Sequence, residues 1–241
     1  MEIDKSGHSV RAMFSAIAGR YDFLNHLLSA NQDKRWRRRA IPLLSARRGQ
    51  IILDSCCGTG DLAIECLCQQ PHCHVIGADF AVPMLEIAQS KIRNPQSAIR
   101  NPRFLAGDAL RLPFADATFD AVMVAFGARN FENTQSGLRE MQRVVKPGGR
   151  VLVLEFMRPT SPLLQRGFGL FFNRVLPVVG RLISGHDAAY KYLPSSVEGF
   201  YTRREFEKLL RQTGFINVRS FDYSGGIATS FIATKPQRPS R

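Results

Sequence analysis

From Gln50 onward the sequence alternates short, largely apolar runs with segments of helical period, and few folds accept that pattern. Ile51-Ile52-Leu53 ends in a glycine turn, after which Leu62 to Leu67 starts a helix; Val75-Ile76-Gly77-Ala78 then ends at Asp79. A helix over Pro83 to Ile92, strands around Phe104-Leu105 and over Phe119 to Ala125, a helix over Gln135 to Val145 and a strand over Val151 to Phe156 complete the series. A strand without polar alternation is buried on both faces, which calls for a parallel sheet covered by helices on each side. The pattern predicts an α/β fold. Farther on, Arg203 to Gln212 reads as a polar helix, and Phe215 to Phe221 with Ile227 to Thr234, around Gly225-Gly226, as a closing antiparallel hairpin.

The turn Leu53-Asp54-Ser55-Cys56-Cys57-Gly58-Thr59-Gly60-Asp61 decides what such a sheet binds. Gly58-Thr59-Gly60-Asp61-Leu62-Ala63 fits the G-x-G-x-x-A dinucleotide fingerprint, with Asp79 where a ribose-binding acid belongs. No Gly-Lys-Ser/Thr follows, which excludes a Walker phosphate loop. Charge separates the remaining readings. Asp54 ends strand one, Asp79 strand two, and Asp108 in Gly107-Asp108-Ala109 strand three, so three carboxylates converge on the crevice where these sheets take ligands. A pyrophosphate beside Asp54 would be repelled, whereas a sulfonium, an ammonium and a ribose diol would be held. S-adenosylmethionine carries all three. On this reading Gly58 and Gly60 let the backbone approach the cofactor, Asp79 accepts both ribose hydroxyls, and Asp108 with the Ala109 amide reads the adenine edge. Asp61 and Asp116 read as cap or turn residues.

Five cysteines, an odd number at irregular spacing, argue for reduced thiols. Cys66, Cys68, His72, Cys73 and His74 lack the paired C-x-x-C spacing of a zinc site, so no metal is expected.

Ahead of the sheet, Val10, Met13, Phe14, Ile17 and Tyr21 build one apolar helical face, which Leu24, Leu27 and Leu28 continue after a break at Tyr21-Asp22. A basic run, Asp33 to Arg39, follows on another helix and reads as a solvated face or as a headgroup-binding one. Behind the sheet, Pro162 to Ile183 is apolar but interrupted by Arg166, Arg174, Pro177 and Arg181, which makes it a kinked helix pair and not a membrane span. Ile92 to Pro102 contains a short tandem repeat with two Asn-Pro turns and reads as a lengthened surface loop. The N-terminal MEIDKSGHSV has no basic region leading into an apolar run, so a cytoplasmic protein is expected. We read 1–241 as one domain: a helical cap over 1–48, a cofactor-binding core over 49–158, a helical lid and substrate region over 159–200, and a C-terminal helix and hairpin over 201–235. The net charge of +13 attracts nucleic acid, anionic headgroups or acidic substrates without distinguishing them.

These residues resemble the class I methyltransferases, which share the acidic strand ends, the glycine turn and a segment like Arg143-Val144-Val145-Lys146-Pro147-Gly148-Gly149-Arg150. More narrowly, the chain is similar to the UbiE/MenG family of quinone C-methyltransferases. The likeness rests on Gly19-Arg20-Tyr21-Asp22-Phe23-Leu24-Asn25-His26, Trp36-Arg37, Phe126-Gly127-Ala128-Arg129-Asn130, Leu154-Glu155-Phe156 with Pro159, and Tyr190-Lys191-Tyr192-Leu193-Pro194-Ser195-Ser196-Val197. The resemblance implies a Rossmann-like fold with a mostly parallel seven-stranded sheet, and cofactor contacts at Thr59, Asp79, Asp108 and Ala109. Ala125 stands where the family usually has a serine. It also implies C-methylation of a polyprenylated demethylnaphthoquinol, with a methoxybenzoquinol as the alternative substrate. Arg129 would then stabilise the phenolate and Asn130 orient the ring, while Tyr21, Asp22 and Tyr190 either line a lid or pack. A lipid quinol partner implies transient contact with the inner face of the cell membrane; a homodimer is left open.

Three rivals are weaker. A nucleic-acid methyltransferase has the charge and Trp36 among arginines in its favour, but no Asn-Pro-Pro-aromatic motif and no appended RNA-binding module. An NAD-dependent oxidoreductase rests on the bare fingerprint. A non-catalytic cofactor-binding protein would bind the cofactor without turning over any quinol.

Overall fold

The computed structural model describes residues 6–93, 102–159, 161–170 and 187–237. Residues 94–101 of the tandem repeat and 171–186 of the apolar stretch lie outside them. Strands β1 (Ile51–Ser55), β2 (His74–Asp79), β3 (Arg103–Ala106), β4 (Phe119–Ala125) and β5 (Val145–Phe156) run parallel. β7 (Ala228–Thr234) enters antiparallel between β5 and the edge strand β6 (Ile216–Tyr223), so the sheet order is β3-β2-β1-β4-β5-β7-β6. This is the mostly parallel sheet with an antiparallel C-terminal hairpin that the pattern predicts.

Helices α1 (Gly7–Leu28), α2 (Gln32–Ala40), α3 (Asp61–Gln69), α4 (Val82–Arg93), α5 (Thr134–Val144), α6 (Pro162–Leu170), α7 (Asp187–Glu198) and α8 (Arg203–Gln212) flank it. The reason β4 carries no polar alternation is visible in its neighbours. Val122 and Val124 face a core shared with Leu138 and Met141 of α5 and Phe206 of α8, whereas Ala121 and Met123 face Trp36, Leu62 and Cys66 on the other side. Each large side chain so buried stabilises the fold by about 1.5–3 kcal/mol. A smaller cluster of Ala18, Ala81 and Met84, with Phe14 and Tyr21 against it, seats α1 on α4.

Three local expectations are corrected. α1 is unbroken at Tyr21-Asp22, because the Asp22 carboxylate binds Thr59 and Lys91 instead of competing for backbone amides. The basic run on α2 is not uniformly solvated: Lys34, Arg35, Arg38 and Arg39 are exposed, but Asp33, Trp36 and Arg37 are buried. β5 begins at Val145, not Val151. Val145 pairs with Phe119 and Arg150 with Ala121, so residues 146–149 bulge out and are held where the Gly148 amide donates to the Lys235 carbonyl.

Candidate active site

Strand order reverses at β1, whose neighbours β2 and β4 carry the chain to opposite sides, and this is where doubly wound sheets open a crevice at their carboxyl ends. A cavity of about 750 Å³, counting its open mouth, lies there. The strand ends supply one wall through Cys56, Gly58, Asp79, Asp108 and Ala109. Phe126, Asn130 and Phe131 supply another, and α1 closes the outer side with Val10, Phe14 and Tyr21.

Asp79, the last residue of β2, is buried and braces the glycine turn: the Gly58 amide donates to its Oδ2 at 2.8 Å and the Ala81 amide to its Oδ1 at 2.9 Å. Burial raises its pKa despite those bonds. Each oxygen keeps a lone pair for a ligand hydroxyl. Asp108 follows β3 and takes the Leu110 amide at 2.8 Å. Gly58 adopts φ +53°, with open space where a Cβ would stand. Gly60 is different. Its Cβ would come within 2.8 Å of the Phe104 ring, and that of Gly77 within 2.6 Å, so both glycines make room for a ring wedged beneath the turn.

Asp54 stands behind the cavity wall, within β1 and not at its end. It is 1% exposed, neither carboxylate oxygen makes a hydrogen bond of ordinary geometry, and burial holds its pKa well above the usual carboxylate range. Thr59 is also behind the wall, its hydroxyl donating to Asp22 of α1.

Arg129 and Asn130 share one short helical turn after β4 but face different ways. The Arg129 guanidinium is buried, donating through Nη1 to Glu155 Oε1 at 2.8 Å and to the Phe126 carbonyl, while its backbone amide donates to Glu155 Oε2 at 3.1 Å. Its charge still reaches the cavity. Burial raises the pKa of Tyr21, and Arg129 is the strongest influence pulling it back down. Asn130 borders the cavity itself; its Nδ2 donates to the Phe126 carbonyl at 3.3 Å, and its buried Oδ1 is an acceptor with no donor among the described residues.

Burial pushes the Cys56 and Cys57 thiols well above their ordinary pKa and Cys66 up to about 12, the wrong direction for a thiolate nucleophile or ligand. His26, Asp33 and Asp61 cluster within metal-binding reach, but Arg37 Nη1 already lies 2.6 Å from Asp33 and 3.4 Å from Asp61.

Two parts of the site escape sequence reasoning. Val10 and Phe14 are legible as a packing face and not as a cavity wall, whereas Tyr21 in the same wall takes one of the two places the resemblance gave it. Glu155, 0% exposed, organises the Arg129 turn, and its signal was a lone charge inside the apolar run Val151 to Phe156.

The mostly parallel sheet with its inserted β7, the glycine turn after β1 and the cavity lined by Asp79 and Asp108 at the strand ends are those of a class I S-adenosylmethionine-dependent methyltransferase. The chain belongs to the ubiE/COQ5 methyltransferase family, whose model matches residues 2–235. It is 46% identical over 224 residues to a protein of Thermus thermophilus named demethylmenaquinone methyltransferase, covering 93% of this chain and all of that one. It is 40% identical over 235 residues to a Geotalea uraniireducens protein named ubiquinone/menaquinone biosynthesis C-methyltransferase, covering 97% and 99%. Among solved structures, a methyltransferase of Thermotoga maritima, described as S-adenosylmethionine-dependent, superposes with a TM-score of 0.66 at 19% identity, covering 94% of this chain and 99% of its own, which speaks to fold alone.

Proposed function

We propose that the chain transfers a methyl group from S-adenosylmethionine to a ring carbon of a polyprenylated demethylnaphthoquinol, giving menaquinol in menaquinone biosynthesis. What carries the reading is whole-length identity of 46% with a protein bearing the name of that activity. The site chemistry agrees with it. Bound S-adenosylmethionine supplies an electrophilic methyl group on a sulfonium. Asp79 takes the ribose hydroxyls, Asp108 and the Ala109 amide take the adenine, and Gly58 lets the backbone come close. Thr59, Gly60 and Asp54 act from behind, the first two shaping the turn and Asp54 standing as a buried acid whose charged form a bound cation would favour.

For its neighbouring carbon to attack, the quinol must lose a hydroxyl proton. The free Oδ1 of Asn130 accepts that hydroxyl, and Phe126 and Phe131 give the ring flat apolar flanks. Arg129 stays protonated and cannot be the base. It favours the phenolate through its field, as it does for Tyr21, and the proton leaves to water at the mouth.

The substrate's isoprenoid tail belongs in a bilayer. Among the described residues no helix is long and apolar enough to cross one, but the exposed Lys34, Arg35, Arg38 and Arg39 suit peripheral contact with anionic headgroups. A methoxybenzoquinol is the second reading, because the Geotalea uraniireducens relative is named for both quinones. Incubation with labelled S-adenosylmethionine and reduced demethylmenaquinone, with a demethylated methoxybenzoquinol in parallel, tests both. We expect label on the naphthoquinol; cofactor binding with no transfer to either ring overturns the assignment.

A further inference from the structure

α1 is more than a packed neighbour of the sheet. It forms the outer wall of the cavity, and one turn of it is tied to the glycine turn by a run of alternating charges. Asp22 Oδ1 accepts the Thr59 hydroxyl, and Asp22 Oδ2 lies 2.6 Å from Lys91 Nζ at the end of α4. Lys91 also holds Asp61, the first residue of α3, at 2.6 Å. Asp61 then faces Arg37 of α2, and Arg37 pairs with Asp33, whose carboxylate also receives His26 Nδ1 at 2.8 Å. Asp22 and His26 lie one helical turn apart on α1, so the helix is gripped at both, directly after the cavity-facing Tyr21.

One link in this run reaches the glycine turn itself, from behind the cavity wall. Thr59 sits between Gly58, whose backbone borders the cavity, and Gly60, the last residue before α3. Its hydroxyl is pinned by a residue 37 positions away in sequence and not by its own loop. We propose that Asp22 is a positioning residue for the cofactor: it fixes the Thr59 turn and fastens α1 over the cavity, so that release of the spent cofactor requires this fastening to break. The inference rests on the cofactor reading above and goes beyond it by assigning the helix a part in turnover. Closure of an element over a site commonly sets the rate at which product leaves.

The test uses the intact chain. Wild-type binding of S-adenosylhomocysteine, measured by calorimetry, first checks the cofactor reading itself; without it, that reading fails and not this one. D22A removes both partners of the carboxylate. A charge-assisted hydrogen bond of this kind corresponds to roughly tenfold in an equilibrium constant. D22A should therefore raise the KM for S-adenosylmethionine and speed S-adenosylhomocysteine dissociation, read by stopped-flow fluorescence, each by about tenfold. T59V should do the same, T59S should restore most of the effect, and the double variant D22A/T59V should be no worse than either alone. D22N keeps an acceptor for Thr59 while losing the negative charge that faces Lys91, so it should fall between wild type and D22A and serves if D22A folds poorly. A lowered melting temperature with unchanged dissociation, or additive effects of D22A and T59V, overturns the proposal.

Discussion

At the scale of single residues, the site separates contact from support. Asp79 borders the cavity and braces Gly58, so Asp79→Ala removes a cavity carboxylate and a backbone anchor together. Arg129 is turned toward Glu155, so Arg129→Ala leaves the cofactor wall intact but strips a buried carboxylate of its partner. We expect Asp79→Ala to weaken S-adenosylmethionine binding by more than tenfold in calorimetry. Arg129→Ala should keep that affinity within a few-fold and lower kcat by at least tenfold; the opposite pattern would show the two roles to be interchanged. The sequence made Asp79 legible, because an acid at the end of an apolar strand has one direction to face. It could not show which way Arg129 points, since its partner Glu155 lies 26 residues on and across the β4–β5 pair.

Among the elements, α5 shows how a helix can set the shape of a cavity it does not line. A Cβ on Gly137 would stand 2.4 Å from the Phe131 ring, and Phe131 is part of the apolar wall beside Asn130. In Gly137→Ala the gain in helix propensity is about 1 kcal/mol, whereas forcing a ring out of a packed position costs about 1–3 kcal/mol. The second effect wins. We expect a melting temperature lower by a few degrees, a several-fold higher KM for the quinol and a cofactor affinity within twofold of wild type. Elements of this kind were readable where one residue type signals one geometry: the five apolar runs became five parallel strands, and the polar segment Arg203 to Gln212 became α8. Reading faltered where a distant partner overrides a local signal. Asp22 looks like a helix stop until Thr59 and Lys91 claim its carboxylate, and Lys146 to Gly149 looks like the turn before a strand until Lys235, just past β7, holds it as a bulge in the β4–β5 pairing.

For the whole molecule, buried and half-buried carboxylates pull stability in two directions with pH. Asp33, Asp61, Asp120 and Glu140 are held below their ordinary values in spite of burial, by Ser29 and Arg37 for Asp33, Arg37 and Lys91 for Asp61, Lys146 for Asp120 and Arg143 for Glu140. They stabilise the fold above the unfolded carboxylate pKa, and that contribution is lost as pH falls through their lowered values. Asp54 and Asp79 are raised by burial, so their contribution is present in acid and is lost as pH rises through their raised values. Above the ordinary carboxylate range the two acids therefore weaken the cofactor-free fold. Asp54→Asn should raise the melting temperature of the cofactor-free protein by a few degrees at pH 7, and the gap should narrow as pH approaches the ordinary carboxylate value of 3.8. Calorimetry across that range, with and without S-adenosylmethionine, should show the same variant binding the cofactor less tightly; a gap that does not change with pH would remove Asp54 from this account.

The position of β7 bears on how the chain is made. β6 is synthesised before β7, yet its ladder partner is β7, which itself pairs with β5. A nascent chain that has produced β6 thus carries a strand with no ladder to join and a β5 edge left uncovered. Both wait on Ala228 to Thr234, which bridge them from Arg150↔Thr234 on one side to Tyr223↔Ala228 on the other. The sheet can grow outward from β1 during translation, but its two final strands must be laid down together, and until then the partly made protein exposes the sort of unpaired edge that chaperones cover.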